Sequence, residues 1–300
     1  MKKRKHISVF DLINYFINIL IVLIMVYPLY MVIIASFSDP KAVITGEVYF
    51  LPKGFTLDGY KNMLAEKKIW VGYRNTIIYV SLGVCYDLIL TISAGYVMSK
   101  KYLPLRTFFT WFFFITMYVG GGMIPSYLLR KEMGLLENPL VLIIGSMSCY
   151  NMLIVRNYFS SSISDNLFEA ASIDGASEIQ RFLKIGLPLS KSIIAVIALW
   201  EAVARWNSYM SAVLYIHKRE FYPLQLVVRE ILITNQMKMQ AIMSSADASL
   251  ADMEYAEYLQ DLAQTMKYSL VFVVSAPLLI AYPFIQKYFV KGVMVGSVKG

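Results

Sequence analysis

Long apolar segments alternate with shorter polar ones along the whole chain. Six of the apolar segments reach the roughly 20 residues that a helix needs to cross the hydrocarbon core of a bilayer. They occupy residues 12–36, 75–98, 107–128, 139–158, 190–215 and 267–286. The pattern therefore predicts an all-α polytopic membrane protein with six transmembrane helices.

Composition supports this prediction and argues against other classes. Hydrophobic residues make up 58% of the chain and charged residues 16%, which is too apolar for a soluble domain of 300 residues. The net charge of +8 comes from basic residues that bracket apolar segments, so it indicates membrane topology rather than nucleic-acid binding. Cys85 and Cys149 both lie inside apolar segments and predict neither a disulfide nor a metal site.

The basic residues also predict the orientation of the chain. Lysine and arginine are denser in one alternating set of polar segments, and such segments face the cytoplasm. These segments are 1–11, 99–106, 159–189 and 287–300, which makes both termini cytoplasmic. The first apolar run is longer than that of a signal peptide, so we expect a retained anchor. The chain then divides into an N-terminal part with the first helix and outer loop, a five-helix core and a tail, at 1–74, 75–286 and 287–300.

The longest polar interval on the cytoplasmic side, about 159–189, is typical of two short helices joined at a glycine. Asp165 supplies a side-chain oxygen for the start of the first helix, and Gly175 suits the left-handed conformation that ends it. Ser177, with Gln180 three residues on, fits a capping box at the start of the second helix. From composition alone, an amphipathic connector lying on the membrane is an equally good interpretation.

The order of residues in this interval resembles the EAA loop of binding-protein-dependent ABC importer permeases. The residues that match the family pattern are Glu169, Ala170, Ala171, Gly175, Ile185, Leu187 and Pro188. The resemblance implies the type I permease fold, in which this loop is a coupling helix that docks on a separate ATP-hydrolysing subunit. It assigns these seven residues, together with Asp174, to ATPase coupling.

Further stretches resemble the carbohydrate branch of the same permeases. They are residues 36–40 and 55–60, the three glycines at 120–122, and the segment from 282 to the C-terminus. We expect the glycines at a bend or a close helix contact. The first outer loop is predicted to contain a short amphipathic helix near the membrane surface, with Leu57, Tyr60, Met63 and Leu64 on its apolar side. The resemblance implies import of a carbohydrate, an oligosaccharide in the first instance, across a bacterial cytoplasmic membrane. Import of a non-sugar solute stays open as an alternative.

The resemblance also implies a subunit of a larger assembly rather than an enzyme. The sequence contains no Gly-x4-Gly-Lys-Ser/Thr signature, so ATP and Mg²⁺ are expected on a cytoplasmic ATPase dimer and no cofactor on this chain. A second homologous permease would complete the pore. An external solute-binding protein would deliver the sugar to the outer loops, of which the last, about 216–266, carries an acidic stretch. A stand-alone secondary transporter is the alternative from another class; it predicts inverted repeats and broken helices, which the sequence does not indicate.

Charged residues inside predicted spans are costly and are therefore candidates for function. Asp87 lies in the second span, while Glu201 and Arg205 lie four residues apart in the fifth, a spacing that predicts an ion pair between them. Trp206, Asn207 and Tyr209 follow, and aromatic, amide and hydroxyl groups suit a sugar. These six residues are the predicted substrate pathway. The other interpretation, that they only hold helices together, stays open. No catalytic residue and no metal ligand is predicted.

Overall fold

A computed structural model of the chain describes residues 8–145, 147–244 and 250–297. Helices form its regular structure, and the described residues contain no β-strand. In chain order the helices are α1 Val9–Ser36, α2 Pro40–Ile44, α3 Asp58–Ala65, α4 Lys67–Ser99, α5 Arg106–Tyr118, α6 Met123–Glu132, α7 Leu140–Ile143, α8 Cys149–Ser162, α9 Asp165–Ile173, α10 Glu178–Arg181, α11 Leu187–Leu189, α12 Lys191–Asn207, α13 Met210–Tyr215, α14 Leu224–Met243 and α15 Leu250–Ser297. A π-helical turn, Phe182–Gly186, and a 3₁₀ turn, Arg219–Phe221, complete the set.

Three of these helices are long and apolar enough to cross a membrane. They are α1, α4 and the part Met253–Pro283 of α15. Two bent pairs raise the number to five if each pair is one span: α5 with α6, bent by 113°, and Glu178–Leu189 with α12, bent by 78°. The predicted all-helical membrane architecture is thus confirmed, whereas six spans and the placement of the termini stay predictions. Residues 1–7, which include the basic residues 2–5, and the last three residues of the tail lie outside the described residues.

The expectation of unbroken helices is wrong for three predicted spans. Segment 107–128 is interrupted after Tyr118, and Gly122 has φ +82°, a conformation that side chains resist, so the expected bend at the glycines is confirmed. Segment 139–158 contains α7 and α8, because the Ser148 hydroxyl accepts a hydrogen bond from the Asn151 N–H and caps a new helix. Segment 190–215 is divided into α12 and α13 by Ser208, whose backbone is extended.

The chain forms two compact units, of which the first comprises Met1–Ile69 and Val228–Ala276. Its loop after α1 is held by aromatic stacking, since the Phe37 ring lies 5.8 Å from that of Phe55 and 5.1 Å from that of Tyr60. The predicted amphipathic helix in this loop is α3, which buries Met63 completely. The acidic stretch of the predicted last outer loop lies on α15 from residue 250 onward, and Glu257 there pairs with Lys41 at 2.7 Å; Asp247 lies outside the described residues.

The second unit comprises Trp70–Val227 and Pro277–Gly300 and contains both sites considered below. Its core joins α4, α8, α9 and α12 through nine buried side chains: Ile92, Tyr96, Val155, Phe159, Ile163, Phe168, Ile193, Val196 and Ile197. Helices α4 and α8 approach closely at Gly95, where an added Cβ would lie 2.5 Å from Val155 Cγ1. The start of α4 also fixes the segment that follows α13, because Asn75 Nδ2 donates to the carbonyls of Glu220 and Tyr222 at 2.7 and 3.1 Å.

Candidate functional site

An ion pair between Asp87 of α4 and Arg205 of α12 lies at the centre of the first site. Arg205 donates from Nε and Nη2 to Asp87 Oδ2 at 2.9 and 2.5 Å, and from Nη1 to the carbonyl of Leu142 at 2.8 Å. The Asp87 side chain is 4% exposed and that of Arg205 15%. A buried charge needs such compensation, so the pair and the bond to Leu142 fix α4, α12 and α7 in one arrangement.

Two glycines make room for the Arg205 guanidinium. A Cβ at Gly83 would lie 2.6 Å from Arg205 Cζ, and one at Gly145 would lie 2.7 Å from Nη2. Both distances are shorter than carbon and nitrogen atoms tolerate. The interruption between α7 and α8, where Gly145 lies, is therefore part of the geometry that admits the cation.

The predicted pair between Glu201 and Arg205 is wrong. Glu201 Oε1 instead accepts a hydrogen bond from Asn151 Nδ2 at 2.6 Å. Spacing of four residues brings two side chains to one helix face. Arg205 pairs instead with the Asp87 carboxylate, which is more buried and lies on another helix. Asn151, a neutral donor on α8, satisfies the less buried Glu201.

A cavity of about 300 Å³ lies beside these charges within the second unit. Asp87, Glu201 and Arg205 contribute to its lining, together with Arg130, Ser208 and Ser211. The other members of the predicted substrate pathway do not line this cavity: Trp206 is buried against Tyr73 with ring centroids 6.2 Å apart, and Asn207 donates to the carbonyl of Val203 at 3.0 Å. Tyr209 precedes α13 and is half-buried. The structure thus brings together the three charged candidates and separates them from the other three.

The predicted coupling loop forms a second site, at the other end of α4. Helix α9 ends at Ile173, and Gly175 then has φ +79°, so the predicted left-handed glycine is confirmed. The predicted capping box is confirmed as well, since Ser177 Oγ accepts from the Gln180 N–H and Gln180 Oε1 from the Ser177 N–H. The first helix begins at Asp165 as predicted, but the Asp165 side chain does not cap it: Ser164 is the N-cap, and Asp165 in the first turn accepts from Lys101 Nζ at 3.0 Å.

An aromatic cluster fixes α9 to the cytoplasmic end predicted for α4. Phe168 is 5% exposed and its ring lies 5.8 Å from that of Tyr96, with Lys100 Nζ 3.4 Å from the Phe168 centroid. Phe182 of the π-helical turn packs on the other side of Tyr96 at 4.8 Å. The two arms of the loop, α9 before Gly175 and the segment from α10 to the π-helical turn after it, therefore both contact Tyr96.

Glu178 joins the second arm of the loop to α4 through hydrogen bonds. It accepts from the hydroxyls of Tyr96 at 2.7 Å and Tyr102 at 2.8 Å, and pairs with Arg181. Partial burial opposes ionisation, but the two hydroxyls and Arg181 outweigh it and lower the pKa of the Glu178 carboxyl. Glu178 is therefore a carboxylate at neutral pH and can accept both bonds.

With Phe168 turned inward, the loop presents aliphatic side chains outward. Ile173 is 87% exposed, Ile179 71%, Leu183 52% and Leu167 49%. Of the predicted coupling residues, Glu169, Ala170, Asp174, Gly175 and Pro188 are exposed and Ala171 is half-buried. Ile185 and Leu187 pack against the core of the second unit. The match to the EAA pattern thus contains an outer set of residues and a pair that anchors the loop.

Comparisons with known proteins cover nearly the whole chain. No family model matches it. The chain is 34% identical to the polygalacturonan/rhamnogalacturonan transport system permease protein YtcP of Bacillus subtilis (strain 168), over 97% of this chain and 98% of that protein. It is 33% identical to protein LplC of the same strain, over 100% and 98%. A chain of a bacterial ABC transporter involved in the import of the acidic polysaccharide alginate has a similar crystal structure, with TM-score 0.80, 30% identity and coverage of 94% and 96%.

This chain belongs to the permease subunits of ABC importers. Membership in this family excludes the alternative of a stand-alone secondary transporter. The permease nevertheless has broken helices, a feature that was expected only of that alternative.

Sequence reasoning missed several groups at the two sites of the permease. Arg130 gave no signal because it lies outside the predicted span 107–128, in a charged stretch with Lys131 and Glu132, and Asn151 gave none because it is uncharged. Gly83 and Gly145 looked like ordinary small residues of apolar segments. Glu178 is 82 residues from Tyr96 and 76 from Tyr102, and only the folded chain brings it to them.

The ion pair in the permease gives a prediction for stability. Arg205→Gln leaves the Asp87 carboxylate buried without its cation, and Asp87→Asn leaves the Arg205 guanidinium buried without its carboxylate. Each substitution should lower the free energy of unfolding by about 3–5 kcal/mol. The double variant should lose less than the sum of the two. Apparent melting temperatures of the purified protein in detergent measure the losses.

Glu201→Gln is the control for this prediction. Its amide oxygen can still accept the hydrogen bond from Asn151, so its melting temperature should stay close to that of the parent. Strictly additive losses in the double variant would show that Asp87 and Arg205 do not depend on each other.

Proposed function

We propose that this permease forms one half of the pore of an ATP-driven oligosaccharide importer in a bacterial cytoplasmic membrane. In this proposal the chain crosses the membrane six times, with both termini and the loop at 159–189 in the cytoplasm. The observation that carries the proposal is the aliphatic surface of that loop, held outward by the buried Phe168.

The occupant that we propose for this surface is the ATPase subunit. Isoleucines exposed at 87% and 71% leave apolar area in water, and covering it gains roughly 25 cal/mol per Å². Lipid is a poor occupant, because the exposed Glu169 and Asp174 lie among the apolar groups. A hydrophobic cleft with a polar rim on an ATPase satisfies both kinds of side chain.

The attachment of the loop explains how ATP hydrolysis would act on the pore. Glu178 and Phe168 both engage Tyr96 on α4, and α4 carries Asp87 nine residues earlier. A movement of the docked loop therefore acts on the helix that lines the cavity. A second permease, moved by the second ATPase subunit, would complete the pore, so that the cavity alternates between the two sides of the membrane. An external solute-binding protein would dock on the outer loops and release its sugar into the pore.

For the substrate we propose an acidic oligosaccharide. The names of YtcP and of the alginate importer both refer to polysaccharides that carry carboxylates. The cavity beside Arg205 is lined by hydroxyl and guanidinium groups, which suit such a sugar. A non-sugar solute is the alternative and would not need this combination.

The proposed topology predicts a labelling pattern for single cysteines in a variant without Cys85 and Cys149. An impermeant thiol reagent added to intact cells should label Lys53→Cys and leave Ser177→Cys unlabelled. Both positions are exposed on the chain, so access across the membrane is the variable. Ser177→Cys should be labelled after permeabilisation, and labelling in intact cells would contradict a cytoplasmic coupling loop.

The coupling loop gives a prediction for ATPase binding. Gly175→Val forces a β-branched residue to φ +79°, at a cost of about 1–2 kcal/mol, so the turn must change shape. The variant should reach the membrane normally and retain little ATPase during purification. Glu169→Lys should act similarly by reversing a charge on the same surface.

Gly134→Val is a matched control, because Gly134 has φ +68° and, like Gly175, open space around its Cβ position. It imposes the same strain in another loop and should retain the ATPase. If Gly175→Val retained the ATPase and supported normal transport, the loop would be only a connector.

The proposed substrate is tested with the complete importer reconstituted in liposomes. We expect ATP-dependent uptake of trigalacturonate and little uptake of maltotriose, a neutral sugar of the same length. Uptake of maltotriose alone would contradict an acidic substrate while leaving an oligosaccharide in place. Uptake of neither sugar would contradict both.

A further inference from the structure

We propose that Arg130 binds a carboxylate of the transported sugar, with Ser208 and Ser211 binding its hydroxyls. The proposal rests on the proposed import of an acidic oligosaccharide and assigns the group that recognises its charge. The residues come from three parts of the second unit, since Arg130 lies on α6, Ser208 follows α12 and Ser211 lies on α13. All three line the same cavity.

Arg130 leaves most of its N–H donors unused, in contrast to Arg205. Its Nη1 donates to the carbonyl of Ser126 at 3.3 Å, and no carboxylate among the described residues pairs with it. A guanidinium has five N–H donors in a planar fork that matches a carboxylate. Arg205 uses its donors on Asp87 and Leu142, so Arg130 is the cation of the cavity lining that can accept a carboxylate ligand.

A rigid aromatic surface positions the guanidinium of Arg130. Its Cζ lies 4.9 Å from the ring centroid of Tyr215, which is 5% exposed. Tyr215 stacks on Tyr127 at 6.0 Å and packs with Val141 and Ile216 in a buried cluster. Stacking on an aromatic face holds the cation and leaves the edge of the fork free for hydrogen bonds.

Two hydroxyls complete the recognition surface. Neither the Ser208 nor the Ser211 side chain donates to or accepts from another described residue, whereas the other hydroxyls of the lining, Thr76 and Tyr79, are engaged with the backbone of Leu224 and Phe221. Free hydroxyls beside a free guanidinium offer a sugar acid both kinds of partner that it needs. The volume of about 300 Å³ matches the lower end of small-molecule sites and suits a short piece of a sugar chain.

The remaining charge in the lining sharpens the preference. Arg205 compensates Asp87, and Glu201 lies beside Asp87 and accepts a hydrogen bond from the neutral Asn151. A sugar carboxylate next to Glu201 would meet further acidic oxygens, whereas next to Arg130 it meets an opposite charge. The cavity therefore discriminates between orientations of the sugar by repulsion as well as by attraction.

The test uses the complete importer in liposomes with its binding protein loaded with trigalacturonate. Arg130→Gln should lower trigalacturonate uptake roughly tenfold or more, because a charged hydrogen bond to the substrate is lost. ATP hydrolysis stimulated by the loaded binding protein should fall less, so that fewer sugars are moved for each ATP. Arg130→Lys retains the cation but not the fork, and we expect intermediate uptake.

Lys131→Gln is the matched control. Lys131 is the next residue on α6, is exposed and does not line the cavity, and its substitution removes the same charge. Its uptake should equal that of the parent. Equal uptake by Arg130→Gln and the parent would overturn the proposal. So would an equal loss of uptake in Arg130→Gln and Lys131→Gln, or a loss of ATP hydrolysis in Arg130→Gln as large as its loss of uptake. If the parent imports no trigalacturonate, the proposal of an acidic substrate is wrong, and the assignment of Arg130 is wrong with it.

Discussion

The ion pair between Asp87 and Arg205 is the constraint on which the second unit depends. A carboxylate with 4% exposure has no aqueous alternative to its cation. Satisfying it requires α4 and α12 to meet at one register, two glycines to leave room for the guanidinium, and the carbonyl of Leu142 to accept the remaining donor. The interruption between α7 and α8 follows from the same requirement, because a continuous helix would not present that carbonyl to a side chain.

Helix α4 connects this ion pair to the rest of the unit. Near its start, Asn75 and Thr76 bind the segment after α13, and nine residues after Asp87 its Tyr96 holds both arms of the coupling loop. Nine residues correspond to about 13 Å of helix, and the buried cluster around Ile92 and Ile197 fills the space between. The cavity and the loop are therefore two ends of one packed element, which is the physical basis for coupling in the proposed importer.

The two arginines that line the cavity differ in how far their charges are compensated. One arginine is consumed by a structural pair and the other, Arg130, is held on an aromatic ring with most of its donors free. Sequence position places Arg205 inside a predicted span and Arg130 after one, but it does not tell which of the two is paired with a carboxylate. Their surroundings do, because a buried carboxylate lies within reach of one and not of the other.

The sequence by itself determined the helical membrane class, the amphipathic α3, the glycine bend, and both local features of the coupling loop, the left-handed Gly175 and the Ser177 capping box. Each depends on apolar length, on backbone conformation or on bonds between residues at most three apart, and such information is local. Tertiary structure alone decided that Arg205 pairs with Asp87 instead of Glu201, that the predicted spans 139–158 and 190–215 are interrupted, and that Glu178 joins Tyr96 and Tyr102. These outcomes result from competition among groups distant in the chain, where the most buried charge or the tightest packing prevails, and no spacing within one segment encodes the result.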